Sequence, residues 1–109
     1  MKLYRGIRTM PGYYPVVFVD EKVLDINASK TAVYDHGADR PEWGYGGQGP
    51  SQLSAAILYD LTGNAEVAKQ HYRQFTRDFI ATFDEHGFIL LETQVRTWLD
   101  KQLRNTEEQ

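Results

Sequence analysis

The stretch Glu42-Trp43-Gly44-Tyr45-Gly46-Gly47-Gln48-Gly49-Pro50-Ser51-Gln52-Leu53 sets four glycines within six positions, directly ahead of a proline and an apolar helical pattern. Glycine carries an entropic cost and is used where the backbone needs positive φ or a close approach. Pro50 suits a first helical position, because its φ is already helical and its missing N–H bonds nothing there. The spacing therefore predicts a glycine-rich loop that runs into a helix starting at Pro50. Leu53, Ala56, Ile57 and Leu61 give that helix an apolar stripe, and Thr62-Gly63-Asn64 ends it with a glycine fit for the left-handed position.

Working outward, Asn64 can cap a second helix whose Ala68, Tyr72, Phe75, Phe79 and Phe83 recur at helical spacing and which stops near Asp84–Gly87. The short connection predicts an antiparallel helical hairpin. The apolar run 88–91 reads as a buried strand, after which Thr93 can cap a last helix carrying Val95, Trp98, Leu99 and Gln102. Residues 105–109 read as a polar, frayed tail. Within that second helix, His71 reads as a hydrogen-bonded histidine at the edge of the core.

Upstream, Lys2–Thr9 and Pro15–Asp20 flank the Met10-Pro11-Gly12 turn, and Val23–Ile26 reads as a third short strand, so residues 1–26 form an antiparallel β-meander. Residues 27–49 show no sustained periodicity and read as one long glycine-punctured loop; residues 50–104 are the helical part. The expected architecture is α+β in two layers, with the meander covered by the helical hairpin and the last helix.

The whole chain, 109 residues, bounds this to a single domain. It has no cysteine, which excludes disulfides, thiolate metal sites and cysteine nucleophiles, and makes the cytoplasm the expected location. No apolar stretch approaches a membrane span, and no secretory leader is read at the N-terminus. The net charge of −3 gives no general attraction to nucleic acid or anionic lipid. No cofactor is implied, and a homo-oligomer is compatible with the aromatic content.

The pattern E-W-G-Y-G-G-x-G-P-x-Q-L followed by A-x-x-L closely resembles the signature of a family known only as a domain of unknown function, whose members are short proteins of phages, plasmids and other mobile elements of bacteria and archaea. Tyr4-Arg5-Gly6, Tyr72 with Phe75, and Val95 with Trp98-Leu99 extend the resemblance over most of the chain. Phe88 stands where the resemblance leads one to expect tryptophan. The resemblance implies an origin and a fold but carries no activity.

Two readings of the loop follow from its residues. In the first, free amides and the positive end of the helix hold an anion. Trp43 or Tyr45 stacks on it; Gly46, Gly47, Gly49, Ser51 and Gln52 supply hydrogen bonds, and Arg5 neutralises charge. No Walker-type lysine follows the glycines, which disfavours nucleotide hydrolysis. In the second, the glycines only fold Trp43 and Tyr45 onto the helices, while Glu42 pairs with Arg5 and Pro50 starts the helix. Asp35, His36 and Asp39, with Glu42 beyond them, form a weaker candidate for a divalent cation. Three functions are thus expected, in this order: a non-catalytic module for an anionic, nucleotide-like small molecule; a protein-interaction or inhibitor module that docks through Trp43 and Tyr45 on a host protein; and a small metal-dependent hydrolase.

Overall fold

The computed structural model describes residues 1–107. Strands β1 (Leu3–Thr9), β2 (Tyr14–Val19) and β3 (Lys22–Val23) form the N-terminal meander, and β4 (Gly87–Leu91) pairs with β1 to give an antiparallel sheet ordered β3-β2-β1-β4. Four α-helices follow the meander: α1 (Ile26–Ala32), α2 (Gln48–Thr62), α3 (Ala65–Asp78) and α4 (Glu92–Glu107), with a 3₁₀ turn at Ile80–Thr82. The α+β class and the order meander, helical hairpin, strand, helix are those the sequence predicts.

Alternation along the strands decides which side is covered. Tyr4, Gly6, Val17, Phe88 and Leu90 are buried and share one face, where they meet Leu53 and Ile57 of α2, Phe75 of α3 and Val95 of α4 in one core. The row across the sheet is Val17–Gly6–Phe88. Gly6 leaves a gap that the Phe88 ring fills, stacked on Phe83 at 4.5 Å and edge-on to Trp43 at 5.1 Å.

Helix α2 is the central pillar: Gln52 to Leu58 are all buried, as expected of a helix surrounded by other elements. It starts at Gln48, two residues ahead of the predicted Pro50. The first-turn N–H groups have no partner within the helix, so a proline is tolerated at the third position as well as the first. The hairpin forms as predicted: Gly63 adopts φ +64, and the Asn64 side chain accepts from the amides of Glu66 and Val67.

Four further boundaries differ from expectation. The predicted third strand at Val23–Ile26 shrinks to Lys22–Val23, because Asp25 accepts from the amide of Asn27 and caps α1 inside the segment expected to be a loop. Ile26, Ser29 and Val33, all buried, are the apolar face of that helix. Helix α3 ends at Asp78 rather than near Asp84–Gly87, since the chain tightens to a 3₁₀ turn in which Thr82 bonds Phe79 O, and Gly44 N takes the Ile80 carbonyl. Helix α4 begins at Glu92, ahead of Thr93, and the Gln94 side chain reaches back to accept from the Leu91 amide just before the helix. It also runs through Asn105 to Glu107 where a frayed tail was expected, and residues 108–109 of that tail lie outside the described residues.

His71 differs in kind. Its Nε2 is buried without a hydrogen-bond partner, and burial holds the imidazole below its ordinary pKa. The unfolded chain therefore binds a proton at His71 that the native state resists, so this contribution to stability is present above the unfolded value of 6.5 and is lost as the pH falls below it. The stability difference between wild type and His71→Phe, read from urea midpoints, should shift in favour of the variant between pH 7 and pH 5. A constant difference across that range would contradict the assignment.

Candidate functional site

The glycine-rich segment has two sides with different chemistry. On the inner side Trp43 is fully buried, and the Arg8 guanidinium lies 4.2 Å over its ring. Arg8 also bonds Glu42 at 2.7 Å and donates through Nε to the Glu85 carbonyl, tying β1, the loop and the approach to β4 together. Arg40 adds a longer, more exposed contact to Glu42 at 3.7 Å. Gly49 lies so close that a β-carbon there would sit 2.8 Å from Glu42 Cβ, and Gly44 holds φ +88. On this side Trp43 packs inward as the packing reading expects, but Tyr45 does not, being half exposed, α2 starts ahead of Pro50, and the partner of Glu42 is Arg8, not Arg5. Strand alternation places Arg8 with Tyr4 and Gly6 on the covered face, whereas Arg5 is exposed on the opposite face, lying 5.3 Å over Phe18. A fully buried Trp43 offers no face on which a ligand could stack, and Arg5 cannot reach the loop.

Gln52 is likewise fully buried and spoken for. Its Nε2 donates to Ser29 Oγ and the Tyr34 carbonyl, and its Oε1 accepts from the His36 amide at 2.8 Å and faces His36 Nδ1 at 3.3 Å. Because the Nε2 bonds fix which amide atom is oxygen, His36 Nδ1 must carry the proton in that contact. Gln52 thus positions the loop rather than touching a ligand.

Across the outer side lies a cleft of about 410 Å³. Gly46, Gly47, Gln48 and Ser51 form one wall, Tyr34 and His36 a second, and Tyr72, Arg73, Thr76 and Arg77 of α3 a third. The three rings are in contact in a row, Tyr34 to His36 at 4.6 Å and His36 to Tyr72 at 5.2 Å. Gly47 caps α2 at φ +153 with no side chain capping the helix end. Among the described residues neither Arg73 nor Arg77 has a carboxylate within ion-pair distance, although Arg77 bonds the Gln74 side chain. The positive end of α2 and two uncompensated guanidinium groups therefore face the same space.

Of the residues named from sequence, the structure brings Gly46, Gly47, Ser51 and His36 to this cleft and leaves Arg5, Trp43 and Gln52 out of it. Tyr45 is half exposed and lines a separate cleft with Tyr14, Asp39, Arg40, Glu42 and Gly49. Burial, and then Glu42, pushes its phenol up. Sequence reading missed Arg73 and Arg77; their spacing of four, flanking Tyr72 and Thr76, was the available signal. Asp35 accepts from the Gly37 amide, and no three carboxylate or imidazole groups converge on a metal-binding geometry among the described residues. No helix among them is long and apolar enough to cross a membrane.

Comparison with curated proteins and with solved structures finds no match. A family model does match, over residues 4–101, which spans β1 to most of α4. The chain belongs to that family, DUF6166, a family of unknown function.

Proposed function

We propose that the protein is a non-catalytic binding module for an anionic small molecule of nucleotide size, seated in the cleft between the first turn of α2 and the outer face of α3. The observation that carries this is the convergence of Arg73, Arg77, Ser51 and the uncapped α2 end on one cleft walled by Tyr34, His36 and Tyr72. Guanidinium groups and a helix N-terminus favour phosphate or carboxylate, and the aromatic row suits a planar ring. Among the described residues no carboxylate lines the cleft, so no side chain there repels an anion.

Calorimetric titration with phosphate, nucleoside mono-, di- and triphosphates and cyclic nucleotides tests the reading. At least one should bind, and Arg73→Gln with Arg77→Gln should weaken it by about a hundredfold, with little change in melting temperature because both side chains lie on the surface of α3. Silence from every compound, or equal binding by the double variant, would remove the reading.

A second reading rests on Tyr13, Tyr14, Tyr45 and Met10, all exposed, with Arg40 over the Tyr14 ring at 5.3 Å. Tyrosine and arginine are favoured interface anchors. This surface suits a protein partner, and the mobile-element resemblance makes a host defence protein a candidate. Here Tyr45, not the buried Trp43, is the anchor. Tyr45→Ala should therefore lose a partner that wild type retains in a pull-down, while the same partner list for both proteins counts against the surface.

A further inference from the structure

The helices cover one face of the sheet and leave the other open. An antiparallel sheet with a solvated face ordinarily alternates apolar inward and polar outward. This one does not: the outward positions are Leu3, Arg5, Ile7 and Thr9 on β1, Tyr14, Val16 and Phe18 on β2, Val23 on β3, and Gly87, Ile89 and Leu91 on β4. One row reads Ile89–Arg5–Phe18–Val23, with Leu3 and Leu91 paired on one side of it and Ile7 and Val16 on the other. Val23 is 65% exposed, Ile89 63% and Leu91 44%. Arg5, the one charge on the face among the described residues, holds its guanidinium over the Phe18 ring, so its stem extends the apolar surface.

We propose that two copies of the chain stack through this face, sheet on sheet, as a two-fold dimer with the helices outermost. With strands about 4.8 Å apart and residues about 3.3 Å apart, the face measures roughly 15 by 20 Å in plan. With its exposed and half-buried residues together it offers on the order of 550 Å² of accessible surface per protomer, so a pair hides at most about 1,100 Å², at the lower limit for a specific association. A second copy fits this face because sheet faces of this size pack aligned against one another, and a two-fold interface requires only that one patch complement itself.

Pairing through the sheet edge, the other route to a dimer, is obstructed. The outward amide of Leu91 is taken by the Gln94 side chain and that of Gly87 by the Asp84 carbonyl, which closes both ends of β4. The opposite edge strand, β3, is two residues long.

Sedimentation velocity with light scattering tests the proposal. Wild type should be dimeric at about 100 μM, and Ile89→Lys and Val23→Lys, at the two borders of the face, should each raise the dimer dissociation constant by at least about thirtyfold. Both sites are exposed in the monomer, so circular dichroism should show an unchanged helical signal; should Ile89→Lys not fold, Val23→Lys on the short edge strand carries the test. Leu91→Lys provides a further variant on the same face. A wild-type monomer at that concentration overturns the proposal and leaves the face to a different partner. A dimer that neither substitution weakens overturns it as well, since the copies then meet elsewhere.

Discussion

Gly6→Ala is expected to cost about 3 kcal/mol or more, one of the two largest effects of any single substitution argued from this fold. A β-carbon at position 6 would overlap Phe88 Cε1 and lie 2.5 Å from Cδ1. A ring at the end of a free side chain could swing away, but Phe88 is pinned between Phe83 on one face and Trp43 at its edge. Moving it disturbs three aromatic side chains at the junction of sheet and helices. The effect is therefore specific to the Phe88 ring and not a general intolerance of alanine in β1. Combining Gly6→Ala with Phe88→Leu should recover about 1 kcal/mol or more relative to the sum of the two single changes, because the smaller side chain vacates the space over position 6. Urea midpoints of the four proteins supply the cycle. Additive losses would show that Gly6 matters for its backbone and not for the ring above it.

The second large effect concerns Glu42. Glu42→Ala leaves the Arg8 guanidinium, whose side chain is only 9% exposed, without its carboxylate, and the expected loss is about 3 kcal/mol. Arg8 keeps the Glu85 carbonyl and the Trp43 ring, but these do not neutralise it. Arg40→Ala should cost under about 0.5 kcal/mol by contrast, since its contact to Glu42 is long and its side chain is half in solvent. Arg8→Met in the Glu42→Ala background should regain stability by removing the stranded charge while keeping most of the packing on Trp43. Equal losses for Glu42→Ala and Arg40→Ala would refute the view that Arg8–Glu42 is the closing pair of the loop.

These two sites also show how far the sequence could be read. The elements with strong periodicity, namely α2, α3 and the meander, were legible, as were the Gly63 and Asn64 signals between the helices, because each follows from local chemistry. Helix α1 was not recovered: seven residues give two turns, and its apolar face is spread over Ile26, Ser29 and Val33, with a serine among them. Within the glycine-rich stretch Gly46, Gly47 and Ser51 line the outer cleft, whereas Trp43 and Gln52, expected beside them, are buried in the core. Sequence does not tell which aromatic of a glycine-rich loop enters the core: Trp43 does and Tyr45 does not. The two-residue period of β1 puts Arg5 and Arg8 on opposite faces, but with Leu3 and Ile7 beside Arg5 it does not tell which face the helices cover. Arg73 and Arg77 could not be joined to Gly47 without knowing that α3 lies alongside the start of α2.

The Gln52 network bears on how this protein could change over time. One buried amide joins α1 through Ser29 and the following segment through Tyr34 and His36. Residues 26–37 are consequently constrained like a core element despite their irregular path, and the His36 amide should exchange with solvent as slowly as a helical one. Lengthening the chain there would pull three contacts off a single side chain. Asp39 and Arg40, exposed and beyond that network, are where the chain has room to accept insertions. The room for a longer chain thus ends where Gln52 begins to hold.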